Sequence, residues 1–143
     1  MDAIDRNILR VLGEEGKLTQ ARLAERVGLS LSACQRRVKV LEASGVIGGY
    51  RAVVDPDVLG EGFVLFAFVQ LASHARADCL AFQSALRPLS PVKEAHHIAG
   101  EYDYLLKIAV ADMAAYEAFH TDVLADVPGV ARIVSHIPMS RVK

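Results

Sequence analysis

The sequence predicts an α+β protein: an N-terminal winged helix-turn-helix followed by a ferredoxin-like β-α-β-β-α-β domain. Three observations lead there. Residues 19–43 read as helix, three-residue turn, helix, with a glycine pair just beyond. Asp55-Pro56-Asp57 and Leu59-Gly60 then interrupt all periodicity. From Gly62 onward, short apolar runs and amphipathic stretches alternate in the order strand, helix, strand, strand, helix, strand. The expected organisation is a helix-turn-helix domain over 1–54, a linker over 55–61, and a second domain over 62–143.

The first helix is expected over Asp2–Glu15. Asp2 caps it, Asp5 suits the positive helix start, and Ile4, Ile8, Leu9 and Leu12 form its apolar stripe. Gly16 ends it. Thr19 caps the second helix, whose Leu23, Ala24 and Val27 face inward, and Gly28 supplies a left-handed terminus. Leu29 plugs the turn. Ser30 or Ser32 caps the third helix, which runs to about Ala43 and stops at Ser44-Gly45. Gly48-Gly49 is then expected to turn a two-stranded wing between Val46-Ile47 and residues 50–54.

In the second half, Phe63–Leu71 (FVLFAFVQL) is a nearly unbroken apolar strand, expected to be central in a sheet and covered on both faces. Arg76–Leu86 is helical, with Leu80, Phe82 and Leu86 available for packing, and Pro88 and Pro91 stop it. Val92–Ile98 and Tyr102–Val110 are the next strands, joined by a turn at Ala99-Gly100-Glu101. Asp112 caps a helix over Met113–Leu124, Pro128-Gly129 closes it, and Val130–Met139 is the last strand. With both helices on one face of the sheet, the other keeps exposed apolar residues, so a homodimer is expected on physical grounds.

The third helix carries the most functional information. At 100° per residue, Cys34, Val38 and Leu41 share one side, while Ser32, Ala33, Arg36, Lys39, Val40 and Ala43 share the other, with Gln35 and Arg37 at its edges. Small residues interspersed with Arg, Lys and Gln suit the major groove of double-stranded DNA: the small ones permit close approach, and the polar ones reach base edges or phosphates. Charge agrees. Residues 1–54 carry nine Lys/Arg against six Asp/Glu, a surplus of +3, whereas 55–143 carry seven against eleven, −4. A surplus of three is modest, which favours two or more heads acting together.

Several classes are excluded. No run approaches a membrane span, and the acidic, polar start MDAIDRN lacks the basic n-region of a signal peptide, so a cytoplasmic protein without membrane association is expected. Cys34 and Cys79 have no partner spacing and are expected to be reduced. His96 and His97 are adjacent on a strand and point to opposite faces, and no zinc spacing occurs, so no metal is expected. No phosphate loop, nucleophile elbow or defensible carboxylate pair is present. No catalytic residue, enzyme activity or cofactor is expected.

Taken together, Asp2-x-x-Asp5-x-x-Ile8-Leu9, Leu23-Ala24-x-x-Val27-Gly28-Leu29-Ser30, Arg37-Val38-x-x-Leu41-Glu42-x-x-Gly45-Val46-Ile47-x-Gly49-Tyr50, Gly100-Glu101-Tyr102-Asp103-Tyr104-Leu105-Leu106 and Pro128-Gly129-Val130 resemble the leucine-responsive regulatory protein/AsnC family of "feast/famine" transcription regulators. The resemblance covers essentially the whole chain. It implies a DNA-binding head and an effector-binding domain that dimerises and often builds octamers, with amino acids or related metabolites as effectors. The DNA-contact candidates are Ser30, Ser32, Gln35, Arg36, Lys39 and Arg51. Arg37, which matches the family's arginine, either holds a phosphate or braces the fold. The turn at 100–103 matches the segment where the family binds its effector between dimers. A zwitterionic amino acid needs an acceptor for its ammonium, for which Asp103 is the candidate. It also needs donors for its carboxylate, for which the Ala99, Gly100 and Glu101 backbone and Ser135 are candidates, with Tyr102 and His97 lining the same place. The rival reading is an enzyme similar to the sirohaem decarboxylases that resemble this family. Arginines retained on a groove-suited helix and scattered histidines weigh against it.

Overall fold

The computed structural model describes residues 1–140 and 142, which divide into two compact units, Met1–Val53 and Val54–Lys143. In the first unit, α1 (Ala3–Glu14) starts in a reciprocal capping box: the Asp2 carboxylate accepts from the Asp5 N–H, and the Asp5 carboxylate accepts from the Asp2 N–H. α2 (Gln20–Val27) begins at Thr19, whose hydroxyl accepts from the Arg22 N–H, and ends at Gly28 with φ +69°. α3 (Leu31–Ala43) starts at Ser30, whose Oγ accepts from the Ala33 N–H at 3.3 Å. Ile8, Val11, Leu23, Ala24, Cys34, Val38 and Leu41 bury together, with Leu29 and Ile47 packed against them. The α1 stripe is rotated from expectation: Val11 enters the core, while Ile4 remains 37% exposed.

The expected wing does not close as a hairpin within the chain, because residues 46–54 form no ladder. Val46-Ile47 supplies too short an arm for more than one or two cross-strand bonds, and Val53 lies fully exposed with no surface to cover. A turn follows, in which the Glu61 and Leu59 N–H groups donate to the Pro56 carbonyl.

The second unit contains β1 (Phe63–Leu71), α4 (Arg76–Leu86), β2 (Val92–His97), β3 (Tyr104–Val110), α5 (Met113–Phe119) and β4 (Val130–His136). The sheet order is β2-β3-β1-β4 with antiparallel neighbours, the ferredoxin-like arrangement. Leu65, Ala67, Val69 and Leu71 of β1, with Tyr104, Leu106 and Ile108 of β3, form a core with Phe82 and Leu86 of α4 and Tyr116 and Phe119 of α5.

Four expectations change in detail. β1 is central but covered on one face: its burial alternates, with Phe66 and Phe68 only half-buried on the other side. Leu80 is 51% exposed, and Cys79 takes its place beside Phe82. The helix after Asp112 is α-helical only to Phe119 and continues as a π-helical turn over His120–Leu124. β3 begins at Tyr104, just after Asp103, whose backbone bonds Val69 and Ile98, and β4 stops at His136, two residues short of Pro138, which has no N–H for a ladder.

Candidate functional site

On α3, burying Cys34, Val38 and Leu41 turns the opposite side outward. Ser32, Gln35, Arg36 and Lys39 are exposed, and Val40 is 61% exposed among them. Among the described residues, the side chains of Gln35, Arg36 and Lys39 have no hydrogen-bond or ion-pair partner, so their donors are available. Val40 adds an apolar spot of the kind that meets a thymine methyl group. Ser30 is committed as the cap, with the Ser32 hydroxyl 3.4 Å away. Arg51, in the segment after α3, is exposed and unpaired among the described residues.

Arg37 is placed differently. Its Nη1 donates to Asp2 Oδ2 at 2.8 Å and to Asp5 Oδ1 at 2.7 Å, tying α3 to the capping box of α1. Of its two sequence roles, this contact is the brace. The Asp2 and Asp5 carboxyls are held below the ordinary range, first by the N–H groups they receive from each other and then by this guanidinium. The Arg37 pKa rises in turn, first through Asp5 and then Asp2.

In the second unit, the turn over 99–103 is built around Asp103. Its carboxylate accepts from the Leu71 N–H at 2.8 Å and lies 2.9 Å from His74 Nε2. Its N–H donates to the Val69 carbonyl, and its own carbonyl accepts from the Ile98 N–H. Ala99, Gly100 and Glu101 are exposed, and Gly100 takes φ +151°, a region that favours glycine. The Tyr102 ring lies 5.3 Å from Phe68, with the Arg132 guanidinium 5.9 Å above it.

Of the other effector candidates, Ser135 lies elsewhere, while His97 flanks the turn, paired with Tyr104. The Ser135 hydroxyl is hydrogen-bonded to the Tyr116 hydroxyl, on the helix-covered face. Ser135 pairs with Ala67, four residues along β1 from the Leu71 that anchors Asp103. That separation is about 13 Å of strand, so Ser135 does not stand beside the turn. His97 stacks on Tyr104 with centroids 4.8 Å apart. His96 points to the opposite face, 3.4 Å from Glu94.

Sequence reasoning missed the cluster on the open face, where Phe68 meets Tyr102 and, edge-on at 5.1 Å, His136. Alternation within FVLFAFVQL could have placed Phe66 and Phe68 on one side. The predicted topology puts β4 beside β1, but the register that brings His136 next to Phe68 leaves no local signal in the sequence. His74 and Gln83 were also missed, and nothing local marks either one.

Residues 64–143 match the Lrp/AsnC ligand binding domain family, and residues 1–47 match the winged helix-turn-helix DNA-binding family. The leucine-responsive regulatory protein of Klebsiella pneumoniae is 38% identical over 143 residues, all of this chain and 87% of the relative. The crystal structure of an AsnC family transcriptional regulator from Agrobacterium tumefaciens has a TM-score of 0.93 at 35% identity, covering 100% of this chain and 93% of that one. A transcriptional regulator/L-Met complex from Neisseria meningitidis gives 0.94 at 35% identity, covering 100% and 92%.

Proposed function

This chain belongs to the Lrp/AsnC family of transcriptional regulators, with a winged helix-turn-helix DNA-binding domain and a ligand-binding domain, and from that premise we propose how it works. The exposed side of α3 enters the major groove of double-stranded DNA. Arg36 and Gln35 reach base edges, and Lys39 and Arg51 hold phosphates, with Ser32 at the helix start. The observation that carries this reading is that Gln35, Arg36 and Lys39 have no partner among the described residues, opposite a buried Cys34–Val38–Leu41 side.

Two chains associate through the open sheet face, where Val64, Phe66, Phe68, Leu105 and Val134 are only half-covered. A dimer then presents two recognition helices to a pseudo-palindromic site with half-sites about one turn apart or a multiple of it. Dimers assemble further, to a species such as an octamer, on longer DNA. The effector is a small amino acid bound near the turn at 99–103, a class supported by the similar regulator solved with L-Met. It acts by preferring one assembly over another. The reading is of a regulator without catalytic residues.

Gel-shift titration on promoter fragments, with and without each amino acid, tests it. Arg36→Ala is expected to abolish the specific shift, and one amino acid is expected to alter it. A wild-type chain that binds no fragment above its non-specific level would overturn the DNA-binding mechanism.

A further inference from the structure

Between α4 and β2 lies a cavity of about 420 Å³ that takes no residue from the turn at 99–103. That size lies within the range of small-molecule sites, roughly 300–1,000 Å³. Its apolar part is Leu86, Val92 and Tyr104. β2 is an edge strand, so backbone groups along its outer side have no ladder partner.

The charges around the cavity are not equivalent. The Lys93 ammonium is held by Glu61 at 2.6 Å. Glu94 is held by Lys107 at 2.8 Å and lies 3.4 Å from His96. Arg87, the residue that ends α4, has no hydrogen-bond or ion-pair partner among the described residues. The Tyr104 hydroxyl accepts from Gln83 Nε2 at 2.9 Å and also interacts with the Cys79 thiol, so it belongs to the packed wall rather than to the free donors. Burial pushes the Tyr104 pKa up, so the hydroxyl stays protonated. The walls thus offer one uncommitted guanidinium, backbone N–H and C=O groups of the edge strand, the His97 ring stacked on Tyr104, and an apolar floor. Their single carboxylate is already engaged. A ligand carrying an ammonium would find no free anion among these residues, whereas an organic anion would find its counterion.

We propose that this cavity binds a short aliphatic carboxylate lacking an ammonium group, such as a 2-oxo acid, with the carboxylate on Arg87 and the hydrocarbon over Leu86 and Val92. This site is additional to the amino-acid site at the turn and chemically complementary to it.

The test is calorimetry and amide chemical-shift mapping on the full chain with 4-methyl-2-oxopentanoate as probe and L-leucine as comparator. The probe is expected to bind and to shift amides within residues 83–97. Arg87→Ala is expected to weaken it by about tenfold or more, and Ala95→Trp, which fills the cavity, to abolish it. L-leucine should leave those amides unmoved. Absence of probe binding, shifts confined to 99–103, or equal affinity in wild type and both variants overturns the proposal. DNA binding measured on the same samples separates this outcome from failure of the regulator reading, since a chain that shifts DNA yet ignores the probe sinks only the cavity assignment.

Discussion

Two basic residues on one helix should respond to mutation in opposite ways. Residues 1–54 contain nine Lys/Arg. Arg10 pairs with Glu14, Arg26 with Glu15, and Arg37 with Asp2 and Asp5. Six cations per head therefore remain for phosphates, twelve in a dimer. Each phosphate neutralised adds about 0.9 to the slope of log K against log salt, so the ceiling for a dimer is a slope of about −11. Replacing Lys39 by Ala in both heads should reduce the magnitude of that slope by about 1.8. Arg37→Ala should leave the slope essentially unchanged, because that guanidinium is spent inside the protein, and should instead lower the melting temperature of the first unit. The assay is fluorescence anisotropy on one duplex across a salt series, beside thermal melts of each variant. If Arg37→Ala reduces the slope as much as Lys39→Ala does while its melting temperature stays put, the brace is refuted and Arg37 is a phosphate contact.

Acid should weaken the same brace. Asp2 and Asp5 titrate below their ordinary value of 3.8 when folded, so their contribution is complete above that value and is lost as pH falls through the lower folded values. Melts from pH 6 to 2 should show a steeper acid limb for wild type than for the Asp2→Asn/Asp5→Asn double variant; superimposable limbs would count against the linkage. Gly28→Ala should destabilise the first unit by about 1–2 kcal/mol, because φ is +69° and a Cβ there would meet nothing within 4 Å, leaving only backbone strain; urea melts read it, and a neutral result would mean the turn relaxes. On the proposed dimer, Phe68→Glu on the open face should yield single chains in sedimentation where wild type gives a larger mass, and weaken DNA binding with it. An unchanged mass would place the interface elsewhere.

Local signals carried the sequence reading furthest. Thr19 and Asp112 were legible as caps, and Ser30 as one of two candidates with Ser32, because a short side-chain acceptor before an apolar period has one dominant use. Gly28 was legible because only a left-handed residue closes such a turn without strain. The order of the second unit followed from alternating periods, since a strand–helix–strand–strand–helix–strand series with two helices admits few sheets. What escaped was non-local. Arg37 and Lys39 are equivalent by composition, and only the approach of α1 across 32 residues of sequence distinguishes them. Ser135 and Asp103 looked like neighbours because both suit a zwitterion, but strand register separates them. The absence of a ladder over residues 46–54 was not legible either, because a hairpin needs a partner arm of matching length and no local pattern states that.

Asp103 gathers three stretches of chain: the end of β1 through Leu71, the connection beyond it through His74, and the turn through Ile98. A transplant of residues 98–103 from a homologue would carry the Ile98–Asp103 bond with it and find the Leu71 N–H and Val69 carbonyl already in place, because those are backbone groups any sequence supplies. The one partner it has to match by residue identity is His74. Chimaeras of this turn are expected to hold their place when an acidic residue at 103 faces His74, and to shift when either partner is lost.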